Sequence, residues 1–219
     1  LIELWGQETN PTPSVTPEKP NGLSAQVMDS NSTRFKGTSK ADWIIGNDGN
    51  NTIKAKGGND YLQGGLGNDR LNGNNGNDTL RGGNGDDIIH GGKGSDIIRG
   101  GGGADVLYGN SGQNTFSNTA DGSIDIINIQ CEQQSSKKRR KKAMNKKQGT
   151  NTFDIIEELD ANDQINLIGA KNRSISVQET IALGETGVGI FAKGSLEALY
   201  IGDELSSAQV LNMTTGLNK

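Results

Sequence analysis

From Gly37 to Ser117 the chain repeats every nine residues without an insertion or deletion. Nine residues cannot bury a face of their own, so such a unit has to stack on copies of itself; a strict short period is solenoid logic. The eighth position reads Ile44, Ile53, Leu62, Leu71, Leu80, Ile89, Ile98, Leu107 and Phe116, apolar every time. The sixth reads Asp42, Asn51, Asp60, Asp69, Asp78, Asp87, Asp96, Asp105 and Asn114. The fourth is Gly except at Lys40, and the first is Gly except at Ala55. Positions seven to nine, such as Arg70-Leu71-Asn72, read as a very short strand with its middle side chain inward and its flanks toward solvent.

Positions one to six, such as Gly64 to Asp69, read as a turn. Glycine allows positive φ and close backbone approach, and a tight turn aims several carbonyl oxygens at one spot. Carbonyls plus an aspartate are the donors a hard cation such as calcium takes, with six to eight oxygens around it. One turn has too few ligands; two stacked turns have enough. Hairpin turns in a meander would not keep period nine around one fixed acid. No EF-hand loop with a Glu at its twelfth position is present, and the GxGxxG spacing in the repeats is incidental.

GGLGNDRLN at 64–72, GGNGDDIIH at 82–90 and GGKGSDIIR at 91–99 match the consensus GGxGxDxUx. They resemble the RTX (repeat-in-toxin, hemolysin-type) calcium-binding family, a known calcium-binding parallel β-helix motif. The resemblance covers residues 37–117 closely and 118–219 loosely, through FDIIEELDANDQINL. It implies an all-β fold: a parallel β-roll, a right-handed β-solenoid in which successive phrases alternate between two sheets, followed by a small strand-rich C-terminal domain. It also implies calcium between each turn and the turn two phrases on. One edge would stack Asp42, Asp60, Asp78, Asp96 and Asn114, and the other Asn51, Asp69, Asp87 and Asp105, for up to seven ions. The expected ligands are these aspartates with the turn glycines Gly64, Gly65 and Gly67, Gly82, Gly83 and Gly85, Gly91, Gly92 and Gly94, and Gly100, Gly101 and Gly103. The pairs Asp60/Asp78, Asp78/Asp96, Asp69/Asp87 and Asp87/Asp105 should be strongest. Sites using Asn51, Asn114 or the irregular loops GTSKAD and AKGGND should be weaker, since Asn brings no charge and Lys40 brings the wrong one.

Hydrophobic content is 31% and aromatic content 4%, too thin for an ordinary core, and 33 residues are Gly. The one cysteine, Cys131, permits no internal disulfide, so a metal staple would stand in. Residues 1–36 hold all four prolines and read as an extended linker. Residues 37–117 are the nine-repeat roll. Residues 118–150 read as a strand, Ile124 to Ile129, then a polar loop with eight Lys or Arg between Lys137 and Lys147. Residues 151–219 read as a separate, β-rich, capping or secretion-related domain. Its strands are expected at Ile175–Val177, Val188–Ala192 and Leu196–Ile201, with a helix at SSAQVLNM capped by Ser206 or Ser207.

No catalytic constellation is found. His90, the only histidine, falls at a surface position, so HExxH is excluded, and GxSxG is absent. The basic block lacks the aromatics of a nucleic-acid site and reads as a solvated loop; a polysaccharide or cell surface is the partner class it would suit. The acidic turn with Asp160, Asn162 and Asp163 reads as a plain polar turn, with an extra calcium site as the alternative. Position seven, from Trp43 through Thr52, Tyr61 and Arg70 to Thr115, forms no threonine array for ice. No apolar run reaches the roughly 18 residues of a membrane span, and no signal segment follows Leu1, which suggests a C-terminal portion of a longer protein.

The expectation is a calcium-binding, calcium-dependent folding module, non-catalytic in itself, of a secreted or cell-surface protein. The resemblance implies type I secretion, although the end LNMTTGLNK departs from the acidic-then-aliphatic ending of some relatives. The other readings are an accessory region of a secreted hydrolase, lipase or polysaccharide epimerase, or an adhesion or surface-layer component.

Overall fold

A computed structural model describes residues 22–117, 119, 121–130, 153–157, 159, 163–168, 175–182, 185–192, 195–201 and 205–214. Linker residues 1–21, Cys131, the basic block and Asp160–Asn162 lie outside them.

The strands alternate between two parallel sheets. One carries β1 (Gln26–Val27), β3 (Trp43–Ile45), β5 (Tyr61–Leu66), β7 (Thr79–Asn84), β9 (Ile97–Gly102) and β11 (Thr115–Ser117). The other carries β2 (Arg34–Lys36), β4 (Thr52–Gly57), β6 (Arg70–Asn75), β8 (Ile88–Lys93), β10 (Val106–Ser111) and β12 (Ile126–Gln130). Partners within the repeats are eighteen residues apart, as in Leu71↔Ile89 and Leu80↔Ile98. This is the expected solenoid, with about six turns over residues 26–128.

Every position-eight side chain points between the sheets, and all nine are 0–1% exposed. Fully burying each Leu or Ile contributes about 1.5–3 kcal/mol. One such residue from each coil of each sheet, with Met28, Ala55, Ile127 and Ile129, makes the core of the roll, which is why 31% apolar content suffices.

The strands are longer than positions seven to nine. The inner ones have six residues and run on through positions one to three, as in Arg70–Asn75. Only positions four to six remain as turn. Glycine weakens a strand by itself, but here Gly82–Gly83 pairs with Gly–Gly segments one coil away on both sides, as in Gly65↔Gly83 and Gly83↔Gly101, while Gly92 pairs with Asn74 and Asn110.

The coil also outruns the perfect repeats. β1 and β2 fall in the stretch expected to be linker, and Met28 between them is buried. At the other end, β13 (Asp154–Glu157) pairs parallel with β11, and β14 (Gln164–Ile168) with β12. β17 (Ser195–Ile201) adds parallel to β13, and β16 (Glu185–Ala192) and β15 (Ile175–Ala182) follow antiparallel. Helix α1 (Ser207–Thr214) packs on β14 and β15 with Val210 and Met213 buried. Ser206 caps it: its Oγ accepts the Gln209 N–H while Gln209 Oε1 accepts the Ser206 N–H, a reciprocal capping box.

Candidate metal centre

The sixth-position side chains form two buried ladders, one along each edge of the roll. On the first, the backbone N–H groups of Asp42, Asp60 and Asp78 donate to Oδ1 of Asp60, Asp78 and Asp96 at 2.7, 2.8 and 2.9 Å. It continues from Asp96 N–H to Asn114 Oδ1 and from Asn114 N–H to Asp154 Oδ1, at 3.1 and 2.8 Å. On the second, Asn51, Asp69, Asp87 and Asp105 donate to Asp69, Asp87, Asp105 and Asp125 at 2.7–2.8 Å. Asp125 N–H then donates to Asp163 Oδ1 at 3.0 Å. Each aspartate thus spends one oxygen on the coil before it.

The other oxygen is the open one. Oδ2 of Asp60, Asp69, Asp78, Asp87, Asp96 and Asp105 is buried and accepts no hydrogen bond. These six residues are 0–3% exposed, and no lysine or arginine is buried among the described residues. An unpaired buried carboxylate is among the costliest groups a fold can hold.

The first-position glycines make room for these oxygens. A Cβ on Gly64, Gly73 or Gly82 would collide with Oδ2 of Asp69, Asp78 or Asp87. The same Cβ would lie 2.6–2.7 Å from the carbonyl oxygens of Gly82, Gly91 and Gly100, one coil further on. Carboxylate and carbonyl oxygens therefore border one pocket between stacked turns. Positions two and four close it from the other side: Gly83 and Gly85 have φ of 129° and 119°, and a Cβ on either would run into the carbonyl of Gly65 or Gly67. Among the described residues no three acidic, His or Cys side chains gather at one point, so backbone carbonyls have to complete the coordination. That donor set, all oxygen and mostly uncharged, suits calcium.

Burial pushes the carboxyl pKa values up, to about 7 at Asp60 and Asp87, about 6 at Asp69 and Asp96, and about 8 at Asp105. Asp78 moves the same way. The backbone N–H bonds pull each value partly back, and like charges such as Asp78 beside Asp60 push it further up. A cation in the pocket would reverse the shift.

At the N-terminal ends the ladders satisfy themselves. Asp42 Oδ2 accepts the Thr38 N–H at 2.6 Å and the Thr38 hydroxyl at 3.0 Å. Asn51 Oδ1 accepts the Asn47 N–H, and Asn51 Nδ2 donates to Asn47 Oδ1, both at 2.7 Å. At the C-terminal end Asn114 Nδ2 donates to Asp154 Oδ1.

Three rungs escape a strict nine-residue reading: Asp125, Asp154 and Asp163. Their signal is the phrase Asp-x-Ile in DII at 125–127, DII at 154–156 and DQI at 163–165, without glycines and displaced by insertions. Asp163, read as part of a plain turn, is 3% exposed and accepts from Asp125. A counter-running ladder at position five was also missed: Asn68, Asp86 and Ala104 N–H donate to Asn50, Asn68 and Asp86 Oδ1 at 2.9–3.1 Å. His90 is half-buried and stacks on Tyr108, centroids 4.4 Å apart, and burial lowers its pKa.

Fold and site together define a parallel β-roll whose stacked turns border oxygen-lined pockets. Residues 30–116 match the RTX calcium-binding nonapeptide repeat, in overlapping stretches 30–62, 45–80, 55–89, 63–98 and 81–116. Over these residues the chain is similar to that repeat family, whose repeats bind calcium in a β-roll. No curated protein matches the chain.

Proposed function

We propose that the chain is a calcium-dependent folding module of a secreted or cell-surface protein, without catalytic chemistry of its own, whose segment 151–219 caps the roll. The carrying observation is the set of six buried, unpartnered aspartate oxygens, with no buried cationic side chain among the described residues. The aspartates with open oxygens and the carbonyls of the facing turns are the ligands; Asp42, bonded to Thr38, is not one.

Without a cation, carboxylate desolvation and repulsion oppose a thin core. With calcium, binding free energy becomes folding free energy. At ten times Kd each filled site adds about 1.4 kcal/mol. Six would add roughly 8 kcal/mol, comparable to the whole stability of a typical domain. Calcium sites of extracellular modules have Kd values of roughly 10⁻⁴–10⁻³ M. Sites in that range leave the chain unfolded inside a cell and folded outside it, which suits export before folding.

The test is far-UV circular dichroism during calcium titration of chelator-treated protein, with magnesium as the control. A cooperative, calcium-selective gain of β signal is expected. A chain fully folded in chelator at pH 8 would sink the reading.

A further inference from the structure

Charge is segregated on the outside of the roll. The strands of the second sheet, from β2 to β14, carry Arg34, Lys36, Lys54, Lys56, Arg70 and Lys93 and no aspartate or glutamate. All of these cations are exposed, and none of their side chains is held in an ion pair or hydrogen bond by a described residue. The first sheet carries only Arg81 and Arg99 from β1 to β11, and the acids of the repeats sit in the turns. Position eight points inward, so positions seven and nine face out. In the ninth column Lys36 and Lys54 are direct partners, and in the seventh Arg34 and Arg70 flank Thr52. Like charges directly opposite on neighbouring strands destabilise a sheet, and no acid on this face offsets them. A face that met only solvent would gain from acids among these lysines.

We infer that this face binds an acidic polysaccharide, a chain of uronate sugars laid along the axis of the roll. Its track is the ninth column, in which Lys36, Lys54, Asn72, His90, Tyr108 and Asn128 register one on the next. At the strand spacing of a sheet this column is straight and roughly 24 Å long, the shape of an extended chain. The cations at its N-terminal end meet sugar carboxylates. Further along, the Asn72 amide, the His90 imidazole and the Tyr108 hydroxyl offer hydrogen-bond partners to sugar hydroxyls. Beside them the seventh column changes after Arg70 to Ile88, Val106 and Ile126, all half-buried, an apolar strip for the C–H faces of sugar rings. A nucleic acid fits this face poorly: the rings of His90 and Tyr108 are stacked on each other, centroids 4.4 Å apart and planes within 6°, so their facing sides cannot take a base. A bilayer surface calls for long apolar side chains that project from the polar face, and the apolar residues of the seventh column lie half-buried in the sheet.

The inference needs the folded roll, whatever folds it, so the test is run on the full chain in saturating calcium with folding checked by circular dichroism. The basic block is a second source of cations, and its eight Lys and Arg are replaced by Gln in every protein compared. Binding is measured by calorimetry with hyaluronate oligosaccharides, a uronate chain that calcium does not gel, and in parallel with oligothymidylate and phosphatidylserine vesicles. The parent protein should bind hyaluronate, more weakly as salt rises, and prefer it to the other two. Replacing Lys36, Lys54 and Arg70 together by Gln should weaken binding roughly tenfold or more, the sum of three exposed ion pairs. Lys54→Gln alone should weaken it several-fold and Lys40→Gln, in a turn, should leave it unchanged; this pair decides if the triple variant does not fold. A parent that ignores hyaluronate, a parent that prefers oligothymidylate or vesicles, or a Lys54→Gln isotherm identical to the parent's overturns the inference.

Discussion

Replacing Asp87 by Asn should shift calcium-free and calcium-bound stability in opposite directions. Asp87 is 1% exposed, its Oδ2 accepts no bond, and burial raises its pKa from 3.8 to about 7. The folded pKa lies above the unfolded one, so the stability this group lends is complete below about pH 4 and is lost as pH rises through about 7. A shift of roughly 3 units is about 4 kcal/mol by 1.36 kcal/mol per unit. Screening by solvent at the turn edge cuts that to about 1–2 kcal/mol. Asn carries no charge to desolvate. Its oxygen can accept the Asp69 N–H as Asp87 Oδ1 does at 2.7 Å, and its amide can face the Gly100 carbonyl across the pocket. Asn114 already holds a rung in this way, its Oδ1 accepting the Asp96 N–H at 3.1 Å, with its Nδ2 donating to the Asp154 carboxylate. In chelator at pH 8, Asp87→Asn should therefore be more β-rich and unfold at higher denaturant than the wild type. In calcium, the same variant should need several-fold more metal to reach its folding midpoint. Denaturant melts by circular dichroism, with and without calcium, read both quantities. An Asp87→Asn variant less stable than wild type in chelator at pH 8 would refute the desolvation argument.

Acid should partly replace calcium. The chelator-treated wild type should gain β signal as pH falls from 8 to 5, through the raised values of about 6 to 8 at Asp69, Asp87 and Asp105, while calcium affinity falls over the same window; a flat signal in chelator would count against it. Gly76→Ala should cost more than 2 kcal/mol in calcium-saturated melts, because φ is 130° and the new Cβ would strike the Gly58 carbonyl. Gly49→Ala, where the nearest atom is Asn47 Oδ1 at 3.4 Å, should stay within about 0.5 kcal/mol. Leu80→Ala, at 1% exposure in the core between the two sheets, should lose about 2–5 kcal/mol and lower the melting temperature in calcium.

The resemblance to the RTX family added the parallel roll and its two aspartate edges, and the nine-residue period by itself determined that the units stack and that the eighth position faces inward from Ile44 to Phe116. These follow from a repeat because identical units stacked without insertions must place equivalent residues one above another. Tertiary structure decided where the stack begins and ends. Phe35 packs against the core with no glycine phrase around it. Asp154 joins its ladder 40 residues after Asn114, and Asp163 joins 38 residues after Asp125. In a parallel stack the hydrogen-bond partner is the coil next door, however long the chain that leads to it, and a longer connection costs only about 0.6 kcal/mol per doubling. The chain can thus lose its period and keep its ladder. The structure also decided which oxygens remain open: Thr38 and Asn47 close the ladders at one end, Asn114 Nδ2 turns to Asp154 at the other, and six aspartates keep a buried oxygen that accepts no hydrogen bond. That division depends on which donors reach each side chain in space, and a linear pattern of identical aspartates cannot express it.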